Sequence, residues 1–316
     1  MKKDALAVRF RKGLRQWAAV LPFITVGLVL FITFVLYPQI KNIYIAFTDY
    51  SIMPGAETPF AGLSNFQRAF EGMFERGTDA YYFWISFRNN ILAVLVTVPG
   101  QLVLGLLVAV MIHNLKFGKN VYKSMFYIAV ICDWVVVANI FDYIFQPDDG
   151  SLVNYILLQL HIIKEPIAWL QETWTGNFVI WVFSIWKGFG WVMIIYTAAL
   201  QGISNDLYEA ATIDGATRLQ RIIHINLPAI MPTIVIMLIM AVGGIMNLSF
   251  EKVLLMQTDS NTAVSEVIST YVYKLGIQRA QYSLSAAVGL FNNIINLILL
   301  VTVNKVSRKI SETSLW

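Results

Sequence analysis

Charge is what this chain has least of. Of its 316 residues only 13% are Asp, Glu, Lys or Arg, about half of the roughly 25% that a soluble domain uses to hydrate its surface. Most of the surface must therefore meet something other than water, which excludes a soluble enzyme and a disordered protein. Cysteine is nearly absent as well. Cys132 stands alone, so no disulfide scaffold can form within the chain. His113, His161 and His224 are the three histidines, and they are too scattered to suggest a metal site. The sequence has no G-x-x-x-x-G-K-[ST] phosphate loop, no G-x-S-x-G and no H-E-x-x-H. Any nucleotide chemistry must therefore belong to another chain, and neither a catalytic residue nor a metal ligand is assigned here. No long Pro-, Ser- or Gly-rich linker and no internal repeat divides the sequence.

What is abundant is apolar. Residues of the set AVILMFWYC make up 57% of the chain, and the mean hydropathy is +0.63. No Asp, Glu, Lys or Arg occurs in 16–40, 89–115, 222–250 or 280–304. Each window exceeds the ~20 residues a helix needs to cross a bilayer. Two further apolar stretches carry isolated charges, Asp133 and Asp142 in one and Lys187 in the other. The pattern predicts an all-α polytopic membrane protein with six transmembrane helices. Their cores are expected near 17–38, 87–112, 124–145, 177–200, 228–250 and 282–304. A basic head precedes the first span, which ends in Tyr37-Pro38 with no small-residue cleavage site, so it reads as a retained anchor.

Six spans place both termini on one side. The segments 1–16, 113–123, 202–228 and 305–316 hold 14 Lys and Arg in 66 residues, against 8 in 111 for 41–88, 146–175 and 251–283. The basic side is assigned to the cytoplasm. The organisation expected is a cytoplasmic tail over 1–16, a membrane domain over 17–304 and a second cytoplasmic tail over 305–316. Within the membrane domain, 41–84 is the longest external segment, with a short amphipathic helix near Asn65–Phe74, and 202–228 is a cytoplasmic loop. The net charge of +4 reflects this topology and gives no case for nucleic acid.

The loop at 205–232 reads NDLYEAATIDGATRLQRIIHINLPAIMP. Ser204, Asn205 or Asp206 can cap a helix. Leu207, Tyr208, Ala211 and Ile213 make that helix amphipathic, and Asp214-Gly215 supplies its stop. Thr217 opens a second helix that runs into the fifth span, with Pro228 near its start, where a missing N–H costs least. The loop is thus a helix–turn–helix lying against the cytoplasmic face.

Glu209-Ala210-Ala211, Asp214-Gly215-Ala216, Ile225 and Leu227-Pro228 together resemble the EAA loop of binding-protein-dependent ABC importer permeases. The resemblance runs over nearly the whole chain: Leu36-Tyr37-Pro38, Phe47 to Tyr50, Gly62 to Phe66, Gly150 and Asn154, Trp186-Lys187-Gly188, Ala198 to Ile203, Ala286 to Phe291, Asn304-Lys305 and Leu315-Trp316. It is similar to the sugar-type group, and within it to the complex polysaccharide and oligosaccharide (alginate-type) subgroup. Two departures are Ile222, where the family often has Phe, and the missing Pro near Tyr127.

The resemblance implies a type I ABC importer permease in a bacterial cytoplasmic membrane. It also implies a second homologous permease, two cytoplasmic ATPase subunits that bind ATP and Mg, an extracytoplasmic solute-binding protein and an oligosaccharide substrate. The coupling helix would dock on the ATPase through Leu207, Tyr208, Glu209, Ala210 and Ala211, turn at Asp214-Gly215 and rejoin the membrane at Leu227-Pro228. Glu209 would face a basic group, and the small alanines would permit close approach.

Polar groups inside a membrane are costly, so they face a cavity or another polar group. Asn139, Asp142 and Tyr143 share one face of the third span, with Gln146 one turn on, and Asp133 lies on the other face. Trp186, Lys187 and Trp191 stand in the fourth span. Asn247 and Glu251 follow the glycines of the fifth, and Ser285, Gly289, Asn292 and Asn296 form a stripe on the sixth. Amides, carboxylates and phenols suit sugar hydroxyls, and indole faces suit pyranose rings. Packing between helices uses the same small and amide residues. Lys187 can pair with Asp133, snorkel or attract a uronate; the resemblance favours a structural role. Tyr37, Tyr81, Tyr82, Trp17 and Trp84 read as an interfacial aromatic belt facing lipid. The residues alone leave two rivals open: an ion-coupled secondary transporter with Asp133, Asp142 and Lys187 as a relay, and an ABC permease for a non-sugar solute.

Overall fold

A computed structural model of the chain describes residues 20–244 and 250–311. Among them, five helices are long and apolar enough to span a membrane, and a sharply bent pair brings the number to six. They are α1 (Val20–Ala46), α3 (Asp79–Asn114), the pair α4 (Lys119–Ile131) and α5 (Trp134–Ile144), α7 (Thr173–Gln201), α9 (Arg218–Gly243) and α13 (Tyr282–Ser311). Shorter helices lie between them: α2 (Ser64–Phe70), α6 (Leu152–Gln159), α8 (Asn205–Ile213), α10 (Phe250–Met256), α11 (Thr262–Ser265) and α12 (Ile268–Tyr273). An antiparallel bridge between Thr48 and Phe60 is the extended pairing among the described residues.

Two prolines of the long helices, unlike Pro99 and Pro232, which lie within regular helix, are passed by local unwinding. π turns at Ile32–Leu36 and Ile222–Asn226 each end two residues before a proline, Pro38 and Pro228. A proline lacks the N–H of the helical ladder and its ring crowds the carbonyl four residues back; a wider turn relieves both.

α3 and α7 form the central pair. Gly100, Gly105 and Gly188 let them approach: a Cβ on Gly105 would lie 2.8 Å from Val192, and one on Gly188 would lie 2.4 Å from Gln101. Without a hydrophobic force between helices in lipid, such close backbone contact is what holds them. Val108, Ala109, Ile112, Met193, Tyr196, Leu200 and Ile230 knit α3, α7 and α9 into the inner core. α1 joins the rest at its C-terminal end, where Ala46 packs on Ala286 and Ala287 of α13. Asn65 of α2 donates to the carbonyls of Ala46 and Thr48 and pins the outer end.

The third span departs from the continuous helix expected over 124–145. α4 and α5 meet at 96° across Cys132-Asp133. No glycine or proline marks the break. Cys132 is extended (φ −63°, ψ 137°), and Asp133 is the N-cap of α5, its carboxylate accepting from Val135 N at 2.8 Å. Two other boundaries shift: α2 ends at Phe70 rather than near Phe74, and α3 begins at Asp79, capped by Thr78, well before residue 87.

Candidate functional site

The loop between α7 and α9 is built almost wholly from its own residues. Ser204 caps α8. At the other end Gly215 takes φ +71°, the left-handed region that a side chain resists. Its N–H reaches Thr212 O at 3.2 Å, and Ala216 N reaches Ala211 O at 2.9 Å. This pair of bonds is a Schellman closure, which satisfies carbonyls a helix end leaves open. Thr217 and Gln220 then form a reciprocal capping box that starts α9. The chain reverses within a few residues, and α8 lies across the start of α9.

No residue of α8 is buried. Glu209 and Ala210 are exposed and Ala211 is half-buried, while Leu207 is 51% exposed. Leu207, Ala210, Ala211, Asp214, Gly215 and Arg221 border a notch of about 450 Å³ between the two helices. Tyr208 instead points inward. Its hydroxyl donates to Asn226 Oδ1 at 2.8 Å and lies 3.2 Å from His113 Nε2, so α8 is tied to α9 and to the end of α3. Burial holds the Tyr208 phenol above its usual range and keeps it protonated. Leu227 and Pro228 begin the regular part of α9 after the π turn.

The second site lies in the membrane. A cavity of about 660 Å³ opens between α3, α5, α7, α9 and α10. Trp191 and Glu251, both singled out from sequence, border it. Gln101, Trp134, Gly188 and Lys252 border it too. Sequence reading passed over Gln101, Trp134 and Lys252. Gln101 and Trp134 sit in apolar runs, and Lys252 fell in the external segment expected over 251–283.

The other membrane candidates go elsewhere. Lys187 is buried and donates to the carbonyls of Ala129 (2.9 Å) and Cys132, which are the open end of α4. Asp133 is engaged as the cap of α5, and no ion pair joins it to Lys187 among the described residues. Asn139 Nδ2 bonds back to Val135 O at 2.7 Å, and Asp142 and Tyr143 are exposed beside it on α5. Trp186 is 40% exposed and packs on Phe141 at 5.7 Å between ring centres. Asn296 donates to Gly243 O at 2.7 Å, closing the last turn of α9, and Asn292 is buried one turn away on α13. Ser285 donates to Val272 O, also a helix-to-helix tie. Asn247 lies outside the described residues.

Asn154 also organises the loop between α5 and α7. Its amide donates to the carbonyls of Gln146, Asp148 and Ile167 and accepts from Ile167 N and Trp169 Nε1. This fully buried side chain fixes the whole turn after α5.

Comparison with known proteins matches residues 101–312 to the family described as the binding-protein-dependent transport system inner membrane component. Over its full length the chain is 33% identical to protein LplB of Bacillus subtilis, covering 98% of that protein. It is 30% identical, again over its full length, to the polygalacturonan/rhamnogalacturonan transport system permease protein YteP of the same organism, covering 94% of it. A permease chain of the bacterial alginate ABC transporter, solved in complex with alginate pentasaccharide-bound periplasmic protein, superposes with a TM-score of 0.84 at 26% identity, covering 97% of this chain and 100% of that one. The fold is that of a type I ABC importer permease. With the membrane spans, the capped elbow and these likenesses in agreement, the chain belongs to the family of binding-protein-dependent transport system inner membrane components.

Proposed function

We propose that this chain is one permease half of an ATP-driven importer of oligosaccharides or polysaccharide fragments. The observation that carries the mechanism is the α8–Gly215–α9 elbow. It is locally rigid, exposes Glu209, Leu207 and Ala210, and is wired to the membrane helices through Tyr208. A partner ATPase, which binds ATP and Mg, would seat α8 in a cleft. Its closure would move the elbow as a lever and turn α3 and α9 with it. A second homologous permease completes the pathway, both termini lie in the cytoplasm, and a solute-binding protein docks on the opposite face. The substrate class is supported by relatives whose names specify polygalacturonan and rhamnogalacturonan, and alginate.

The test is Glu209→Lys. Uptake and substrate-stimulated ATP hydrolysis by the whole complex should both fall at least tenfold while the chain still inserts in the membrane. Full coupling in that variant would overturn the docking assignment.

A further inference from the structure

Two lysines reach one indole. The Lys187 ammonium stands 4.6 Å from the centre of the Trp134 ring and the Lys252 ammonium 5.7 Å from it. Both side chains are only 6% exposed. Their surroundings differ. Lys187 gives its protons to the last carbonyls of α4. Lys252, among the described residues, has no hydrogen bond and no ion pair. An ammonium taken out of water without a counter-charge is costly.

The lysine cannot swing out to water at little cost. Val253 and Met256 beside it are core residues. α10 to α12 are fastened by Asn261 to Leu170 O at 2.8 Å, by Asn89 to Glu266 O at 3.1 Å and by the Lys274–Glu266 ion pair at 2.9 Å. Trp134 borders the 660 Å³ cavity and not the much smaller void on the other side of Lys252, so the ammonium end is at the large cavity.

We propose that this cavity takes an acidic sugar unit, a uronate, with Lys252 as the ion partner of its carboxylate. The inference rests on the oligosaccharide reading above and narrows it. The volume lies within the ~300–1,000 Å³ usual for small-ligand sites. Trp191, 52% exposed at the cavity, offers a flat apolar face. Gln101 spends Nε2 on Ser184 O and keeps Oε1 for a hydroxyl. Glu251, also at the cavity, accepts from hydroxyls and repels a carboxylate, so it fixes which end of the sugar meets Lys252.

The experiment uses the intact importer complex in nanodiscs without its binding protein. The probes are trigalacturonate and its fully methyl-esterified form, which differ in charge and little in shape. Binding is read by tryptophan fluorescence and by melting temperature. Wild type should bind the acid about tenfold or more tighter than the ester. Lys252→Gln should lose that preference and melt no lower than wild type when ligand-free, because it removes a lone buried charge. Lys252→Arg should retain the preference. Equal binding of acid and ester by wild type, no binding of either, a preference that survives in the Gln variant, or a ligand-free Gln variant that melts lower would each overturn the assignment. ATP-dependent uptake of oligosaccharides by the same complex in vesicles judges the importer reading separately.

Discussion

Helices α4 and α8 both stop abruptly, and they stop by opposite means. α8 ends in the open, and its last carbonyls are met by its own backbone through Gly215 and Ala216. α4 ends at the break of a membrane span, away from water, and its last carbonyls are met by the ammonium of Lys187, more than fifty residues further along. An exposed end can fall back on water, so a turn of the right conformation suffices. A buried end has no such recourse and needs donors brought to it. The ammonium suits the task because a helix C-terminus carries partial negative charge. The first end depends on local sequence and the second on the whole fold, and substitutions should separate them.

Lys187→Met should have the largest effect. It removes the donors and keeps the volume, leaving two carbonyls of the α4–α5 elbow unmet. The expected loss is ~3 kcal/mol, the sum of two buried acceptors at ~1–3 kcal/mol each with partial relaxation. Thermal melting of the complex in nanodiscs reads it. A Met variant as stable as wild type would show that the elbow closes by other means.

Gly190→Ala attacks the same end by shape. Its Cβ would stand 2.7 Å from the backbone oxygen of Phe126 and 2.9 Å from Val130 Cγ2, so α4 would be pushed off α7. A backbone atom cannot give way as a side chain can, and a cost of ~2 kcal/mol is expected. Gly215→Ala makes the contrasting case. Nothing lies within 4 Å of a Cβ there, and the whole penalty is the positive φ. It should cost ~1 kcal/mol, confined to the elbow. Amide exchange over 205–221 should quicken while the melting temperature of the membrane core stays put. Uniform loss of protection across α3 and α7 would contradict the local account.

This division also explains what could be read from the sequence. The spans followed from charge-free runs, because lipid demands them. The elbow followed from Ser204, Gly215 and Thr217, because capping is local chemistry. The break at Cys132-Asp133 did not. Asp133 was read as a charge stranded in a helix, yet aspartate is also a strong N-cap, and only the approach of Lys187 and Gly190 from α7 shows which role it plays. Asn296 suited pathway and packing equally from sequence, and in the structure its amide meets the end of α9. Lys252 was missed because a residue just past an apolar run looks external, whereas α10 folds back against α5 and α7. In each case the deciding contact comes from a distant part of the chain.

An equally small effect on stability should come from Tyr208→Phe, and its value lies in where the loss falls. α8 closes its own end, and the hydrogen bonds that tie Tyr208 to the membrane helices meet at its hydroxyl. The phenol has a single proton, which goes to Asn226 Oδ1, so His113 Nε2 must donate to the phenol oxygen. Phenylalanine keeps the ring and its packing on His113 and deletes both bonds. Asn226, 1% exposed, is left with an unmet oxygen. The expected cost is ~1 kcal/mol, too little to alter membrane insertion. If the elbow works as a lever, the slack introduced at its root should raise the ATP hydrolysed per oligosaccharide imported by about the fivefold that such an energy represents. A variant with the wild-type ratio, and unchanged amide exchange in α8, would mean that force passes from elbow to membrane by a route other than Tyr208.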